Sequence, residues 1–391
     1  MKMLLMMRRT ILLCLLSAFV VPSVCHAQRP KLSTLAEKVA RWIDASTLEG
    51  TDSSYISMPE RPWQIVLSGY ANQSDLHMKS RFDGSQMYEG VVGDITNEPR
   101  IRTAVTTSVG LWVGYRGWGI GYSAGVAGDD GSDWDLEFSG SNYYVKGRFH
   151  NFKGGRFKTL VSGALQNPTD PSLPPEPFSF GQPLVLSSPV EIRTQLLEGV
   201  YIFQSRRFSY SAAYDQSTLQ LRSAGSLIVG LRYFHSDYNY AHHSNADLIL
   251  NMNDIGRIKT WQGSIGAGYT YNWVPCKGGL LLNVMAMPML TPLGCIKTYA
   301  YDSNYRQMAL DDVVHSDDEL PRQDYRITPL SVEKRWSRIA LNFNCRASVT
   351  YNWTNWYVSA NANFYHSRYH YSANSGRLND WAVSLNIGGR L

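Results

Sequence analysis

The run Ile339-Ala340-Leu341-Asn342-Phe343-Asn344-Cys345-Arg346-Ala347-Ser348-Val349-Thr350-Tyr351 decides the fold. Its odd positions are apolar or aromatic, and from 342 onward its even positions are Asn, Asn, Arg, Ser and Thr. A period of two over this many residues is a β-strand, because successive side chains of a strand point to opposite faces. The following run repeats the pattern, with Val358, Ala360, Ala362 and Phe364 alternating with Ser359, Asn361, Asn363 and Tyr365. A third run ends the sequence, with Trp381, Val383, Leu385, Ile387 and Leu391 on one face and Ala382, Ser384, Asn386, Gly388 and Arg390 on the other. One apolar face and one small or polar face suit a barrel whose outside meets lipid and whose inside is a polar lumen.

The same alternation appears far upstream. Val109, Leu111, Val113 and Tyr115 lead into Arg116-Gly117, a two-residue hairpin turn, and Ile120, Tyr122, Ala124 and Val126 return from it opposite Gly119, Gly121, Ser123 and Gly125. Read this way, the sequence predicts twelve strands, near 63–71, 102–115, 118–127, 134–149, 196–204, 207–215, 222–234, 260–273, 279–290, 337–351, 356–369 and 380–391. Most are longer than the ~5–6 residues of ordinary strands and match the ~9–11 that cross a bilayer at a tilt. Short turns at 116–117, 216–221, 274–278 and 352–355 fall on one side, and long segments at 72–101, 235–259 and 291–336 on the other, as an outer-membrane barrel requires. Two connections break the rule: 150–195 is long on the short-turn side, and Ser205-Arg206 is short on the long-loop side.

Composition agrees. The 391 residues include 24 Tyr, 11 Trp and 32 Gly, with 44% hydrophobic and 18% charged side chains, which excludes a disordered or collagen-like chain. The mean hydropathy of −0.25, without a long apolar run after the amino terminus, excludes a bundle of membrane helices. Trp63, Trp118, Trp134, Trp261, Trp336, Trp356 and Trp381 fall at expected strand beginnings and Trp273 and Trp353 at strand ends. That placement reads as the aromatic girdles at the two interfaces of a transmembrane barrel.

Three segments are expected. Residues 1–27 have the basic start, apolar stretch and small-residue end of a secretory signal. Residues 28–62 read as a periplasmic leader with a short helix carrying Leu35, Val39, Trp42 and Ile43 on one face; it either seals the barrel end or meets a periplasmic partner. Residues 63–391 are the barrel. Without the three basic residues of the signal, 34 Lys and Arg stand against 32 Asp and Glu, a net charge of +2, so no nucleic-acid partner is implied. Cys276, Cys295 and Cys345 have no metal-ligand spacing and are expected to be free thiols.

Arg346, Arg390, Asn342, Asn344, Asn361, Asn363 and Asn386 fall on the inward face of the last three strands and are the candidate lumen-lining binding residues. If Thr354 centres the turn, Arg346 lies opposite Asn361 and Asn344 opposite Asn363, with Arg390 near Ser359. These side chains either bind an anionic or hydroxylated small solute or form an internal network that fills the barrel. No catalytic motif, metal site or cofactor fingerprint is present in the sequence. His366, the one histidine placed outward on an expected strand, is the only candidate base for a membrane-embedded hydrolase or lipid-modifying enzyme, and no serine partners it. Asp311, Asp312, Asp317, Asp318 and Glu319 form an acidic external run suited to bridging lipopolysaccharide through divalent cations.

Two stretches carry a resemblance. Asp52-Ser53-Ser54-Tyr55-Ile56 with Pro59, Pro62 and Trp63, and then Arg207-Phe208-Ser209-Tyr210-Ser211-Ala212-Ala213-Tyr214 with Gln220 and Ser223-Ala224-Gly225-Ser226-Leu227, resemble an uncharacterised family of secreted bacterial proteins with a domain of unknown function. Gly119-Ile120-Gly121-Tyr122-Ser123 fits as well, whereas Gln204 stands where the resemblance leads one to expect Asn. The resemblance spans nearly all of the chain after the signal and implies an outer-membrane barrel; it carries over no catalytic residue. The functional expectation is a narrow pore or a small-solute or partner-binding barrel among outer-membrane lipid and lipopolysaccharide, with an enzyme and a barrel acting through its external loops as alternatives.

Overall fold

In the computed structural model of the chain, the alternating runs become strands that pair with their neighbours in sequence until the last meets the first. The structure describes residues 32–391 apart from 87–89, 129, 155, 168–169, 171, 185–188, 243–244, 246–248, 250–251, 253, 276–278, 302–328 and 372–373. The expected signal, Cys276 and the acidic run at 311–319 therefore lie outside the described residues. The chain divides into two units, one ending at Asp44 and the other spanning Ala45–Leu391. The first contains most of helix α1 (Leu32–Leu48).

The second unit is a closed antiparallel barrel. Its staves are β1 (Trp63–Asp83), β2 (Thr106–Tyr115), β3 (Trp118–Ala127), β4 (Asp130–Ser139), β5 (Tyr143–Gly154) and β6 (Val190–Ile202). They continue with β7 (Ala224–Asn239), β8 (Ile255–Trp273), β9 (Leu280–Ala300), β10 (Ala340–Asn352), β11 (Trp356–Tyr371) and β12 (Asn374–Arg390). β12 returns to β1 with Arg390 opposite Gln64 and Ser375 opposite Lys79. The expected all-β barrel of twelve strands is what forms.

Burial follows sequence parity. On β10, Asn342, Asn344, Arg346, Ser348 and Thr350 point inward and are buried, while Leu341, Phe343 and Val349 point out. Across the barrel, Leu111, Leu231 and Leu385 are 53%, 62% and 58% exposed, so the outer surface is as apolar as a core normally is. Three of the tryptophans expected at strand beginnings, Trp134, Trp261 and Trp381, lie within strands instead, because these strands run on past the apolar band.

The count of twelve is reached by a different route from the one the sequence predicts. The expected strand 134–149 is two strands, β4 and β5, parted at Gly140-Ser141-Asn142, where Gly140 N–H donates to Tyr143 O. The expected strand 207–215 does not form; Ser211–Tyr214 is one turn of helix, α2. Both connections that broke the loop rule are thereby corrected. The segment after β5 leaves at the same end as the other long loops and forms a hairpin of its own, Arg156–Leu165 paired with Glu176–Leu184. That hairpin is joined to Asp94–Asn97 and Arg100–Arg102, which follow β1. The β6–β7 connection lies at the short-turn end and is 203–223.

Register differs from expectation by two residues at the β10–β11 turn. Arg346 faces Asn363, Asn344 faces Tyr365 and Ser348 faces Asn361. The inward face is preserved, because a shift of two keeps parity. Arg390 lies past Ser359, which faces Asn386, and its N–H donates to Asn355 O at the barrel end.

Candidate functional site: a plugged polar lumen

Residues 203–223 turn back into the barrel. Phe208, Tyr210, Ala212, Ala213, Asp215, Gln216, Ser217 and Thr218 are all buried, although they belong to a connection between two strands. A buried connection must satisfy its own backbone polar groups. Here side chains of the segment and of the barrel wall do so. Ser209 N–H donates to Gln220 Oε1 at 2.8 Å, and the Gln220 amide donates to the carbonyls of Arg207 and Arg222 at 2.7 and 2.9 Å. From the wall, Asn272 donates to Ser209 O at 2.7 Å, and both Gln64 and Arg390 donate to Gln216 O at 3.0 and 3.2 Å. Gln216 in turn donates to Thr350 Oγ1 at 3.0 Å. Residues Ile56–Ser57 add a short ladder to Leu219–Gln220, so part of the expected leader is bound to this plug. The small side chains of Ser211-Ala212-Ala213 let one helical turn fit within the wall.

Phe208 and Tyr210 of the plug pack with Tyr144, Ile202, Ile228, Met285 and Met287 of the wall in one apolar layer. At the opposite end, Ile101, Phe157, Ile192, Tyr238, Ile249 and Leu378 form part of a second apolar cluster within the barrel. Between these two layers the lumen is polar and ionic. Glu198 on β6 is fully buried and takes Arg346 Nη2 on one carboxylate oxygen; Arg232 Nη1 lies 3.5 Å from the other, to which Asn344 donates at 2.9 Å. Arg346 also donates to Tyr210 OH at 3.1 Å, so it joins the wall to the plug. The Arg232 guanidinium lies 3.3 Å above the Tyr365 ring. On β4 and β5, Asp133 binds Arg148 Nε at 3.1 Å and the ring Nδ1 of His150, and Lys146 bridges Glu137 at 2.6 Å and Asp135 at 3.5 Å.

A chamber of about 160 Å³ lies among these groups, lined by residues that include Tyr70, Asp135, Arg148, Asn361, Asn363 and Asp380. At ~30 Å³ per water that is space for about five water molecules or one solute of similar bulk. Burial pushes Asp215, on the plug, up to about 6 against the lowering effect of its hydrogen bonds with Ser217. Burial likewise pushes the Tyr210 phenol up to about 12, with Arg346 opposing.

All seven candidate residues from the last three strands face inward, with different surroundings. Arg346 and Asn344 hold Glu198. Asn342 donates to Thr291 Oγ1 at 2.6 Å and accepts from Arg368 N–H at 2.9 Å. Asn386 donates to Ser359 and Ser384, at 3.1 and 3.3 Å. Arg390 is at the plug. Asn361, Asn363 and Asn386 line the chamber, as Asn344 and Arg346 do from its far side. Sequence reading missed the plug, Glu198 and the Asp133–His150–Arg148 cluster, although charged residues at inward parity on β5, β6 and β7 were the available signal. His150, the first residue of the expected 150–195 connection, is an inward residue of β5. His366 is on the outer face, its Nδ1 2.6 Å from Asn379 Oδ1 and its Nε2 accepting from Arg368 Nε at 2.9 Å.

Residues 51–390 match the family described as a domain of unknown function, DUF4421. The chain belongs to that family. Arg207–Tyr214 and Gln220, which carried the resemblance together with Asp52–Ile56, are residues of the plug that fills the lumen. No curated protein matches the chain. Among solved structures, the translocator domain of autotransporter NalP from Neisseria meningitidis is similar at 10% identity over 91% of this chain and 96% of that one, with a TM-score of 0.29. The outer membrane protease OmpT from Escherichia coli gives 7%, 85%, 97% and 0.30, and the outer membrane protein OprG from Pseudomonas aeruginosa 8%, 87%, 99% and 0.25, in the same order. Identities and superpositions at this level carry no residue role across.

Proposed function

We propose that this DUF4421 chain is an outer-membrane protein whose closed lumen binds a small neutral or zwitterionic solute, with the plug controlling entry from the periplasm. Membrane placement is supported by the exposed apolar band. On β11 it runs from Trp356 to Phe364; eight steps of ~3.3 Å at a tilt of ~40° span about 20 Å, near the ~25 Å of such barrels. Residues 1–27 then act as the export signal, and the end holding the plug faces the periplasm.

The observation that carries solute binding is the set of buried polar atoms in residues lining the chamber. Trp112 Nε1, Arg232 Nε, Arg346 Nε, Asn361 Oδ1 and Tyr365 OH have no hydrogen-bond partner among the protein's described atoms. Native proteins leave few such groups, and their concentration in residues around one chamber supports a polar occupant there; the atoms are themselves buried, so the occupant reaches them through small side-chain movements. Carboxylates (Asp135, Glu137, Asp380) and cations (Lys146, Arg148, Arg232, Arg346) both line it, which favours a neutral or zwitterionic occupant over a strongly anionic one. Two apolar layers and a plug do not favour a constitutive pore.

The test is thermal unfolding of the full chain titrated with glycerol and with glycine betaine, paired with planar-bilayer recording. Stabilisation by either compound, lost in Tyr365→Phe/Asn361→Leu, and a silent bilayer are expected; at one hundred times Kd the stabilisation is about 2.7 kcal/mol. Steady ohmic conductance by the wild type, or indifference to both compounds, would overturn the reading.

A further inference from the structure

Five basic side chains stand directly opposite one another across the outer face of the barrel. Arg368 on β11 faces Arg377 on β12, Arg377 faces His77 on β1, His77 faces Arg100, and Arg100 faces Lys158. Their neighbours in sequence, Ser367, Tyr369, Leu378, Leu76, Ile101 and Phe157, are buried inside, so the row itself points out. Like charges in direct opposition destabilise a sheet, which makes such a row a cost unless an anion meets it. The protein supplies only part of that anion. Asp75 binds Arg100, and Glu98 binds Lys79 and lies 3.3 Å from His77. With Arg102 and Lys79, six permanent cations (Arg368, Arg377, Arg100, Arg102, Lys158 and Lys79) stand against these two carboxylates, an excess of four charges before any histidine is protonated. Among the described residues, Arg377 and Lys158 have no carboxylate partner.

The position of the row is as specific as its charge. Phe364 opposite Trp381 marks the upper edge of the apolar band, and Arg368 and Arg377 lie four residues further along the same two strands. His366 sits between these levels, its Nε2 2.9 Å from Arg368 Nε and its Nδ1 2.6 Å from Asn379 Oδ1, so the ring orients the guanidinium. Opposed Cβ atoms are ~5 Å apart, which lets one phosphate sit between two guanidinium groups with paired hydrogen bonds to each. The row therefore lies where lipid headgroups meet the barrel, and apolar and aromatic side chains lie below it where acyl chains run.

We propose that this face binds the phosphorylated headgroup of lipopolysaccharide in the outer leaflet. Arg368 and Arg377 take one phosphate, Arg100 and Lys158 contribute at the other end of the row, and Phe364 and Trp381 lie against the acyl chains. The proposal rests on the membrane placement given above.

Full-length protein in nanodiscs tests it, with native mass spectrometry reading bound lipid and heat-modifiable gel mobility confirming the fold. Arg368→Glu/Arg377→Glu is compared with wild type and with Lys153→Glu/Arg193→Glu, an equal charge change elsewhere on the surface. Bound lipopolysaccharide is expected to fall at least tenfold in the first variant and less than twofold in the control. Wild-type binding should also drop at high salt and on enzymatic removal of the lipid phosphates. Equal retention by both variants, or binding indifferent to the phosphates, overturns the proposal. Equal affinity for phosphatidylglycerol overturns the assignment to lipopolysaccharide. Failure of the wild type to float with vesicles would instead refute membrane placement, so the two failures are distinct.

Discussion

Glu198→Gln should destabilise the barrel far more than Arg346→Met, although the two residues share one ion pair. Among the described residues, Glu198 is the only carboxylate that meets both buried guanidinium groups; the three side chains are 0%, 8% and 5% exposed for Glu198, Arg346 and Arg232. At an effective dielectric of ~20, the 3.5 Å Glu198–Arg232 contact alone corresponds to about 5 kcal/mol of attraction, before the desolvation that offsets it. Gln keeps the shape and removes the charge, leaving two uncompensated cations in the lumen, a change of the class that costs ~3–5 kcal/mol. Arg346→Met instead leaves a neutral Glu198–Arg232 pair and loses the hydrogen bonds to Glu198 and Tyr210, together worth ~1–3 kcal/mol. The expected difference is about 2 kcal/mol in urea unfolding from lipid vesicles followed by tryptophan fluorescence. If Arg346→Met proves equally or more harmful, the cluster is not organised around its single carboxylate and the argument is wrong.

Two further outcomes follow from the plug and the first hairpin. Asp215 is held up at about 6 in the folded protein against 3.8 for the free side chain, so its neutral form stabilises the fold; that contribution is complete below pH 3.8 and is lost as pH rises through about 6. The loss is roughly 3 kcal/mol, and Asp215→Asn should therefore be increasingly more stable than wild type between pH 4 and 7, whereas a difference constant across that range would remove Asp215 as the cause. Gly117 has φ +82° and an added Cβ would stand 2.0 Å from Ser139 Oγ, so Gly117→Ala should cost ~1–3 kcal/mol by the same unfolding measurement; a neutral effect would mean that the turn relaxes freely.

The faces of the strands were legible because lipid and lumen impose opposite chemistry on alternate residues. Parity therefore survives even where register does not, as at Arg346, which meets Asn363 instead of Asn361 yet still points inward. The plug was not legible. In Tyr210-Ser211-Ala212-Ala213-Tyr214 the large residues are spaced like a strand, but the segment is buried on every side, and burial all round erases the period that separates helix from strand. The β4–β5 turn was missed because Gly140-Ser141-Asn142 sits between aromatic residues that read as one alternating run. For the candidate site, the sequence located inward polar residues on β10 to β12, while the partners of Asn344 and Arg346, Glu198 and Tyr210, come from 146 and 136 residues away, a separation that local pattern does not encode.

The Gln216 carbonyl receives Gln64 and Arg390, and these two residues are themselves directly paired where β1 meets β12. One backbone oxygen thus clasps the first and last strands at the place where the sheet closes on itself. The Gln216 carbonyl can hold both donors only when β1 and β12 lie side by side, so this contact is complete only in the closed sheet. Anything that pulls the connection out of the lumen also loosens the joint by which the cylinder stays shut, so opening the interior and weakening the wall are one motion.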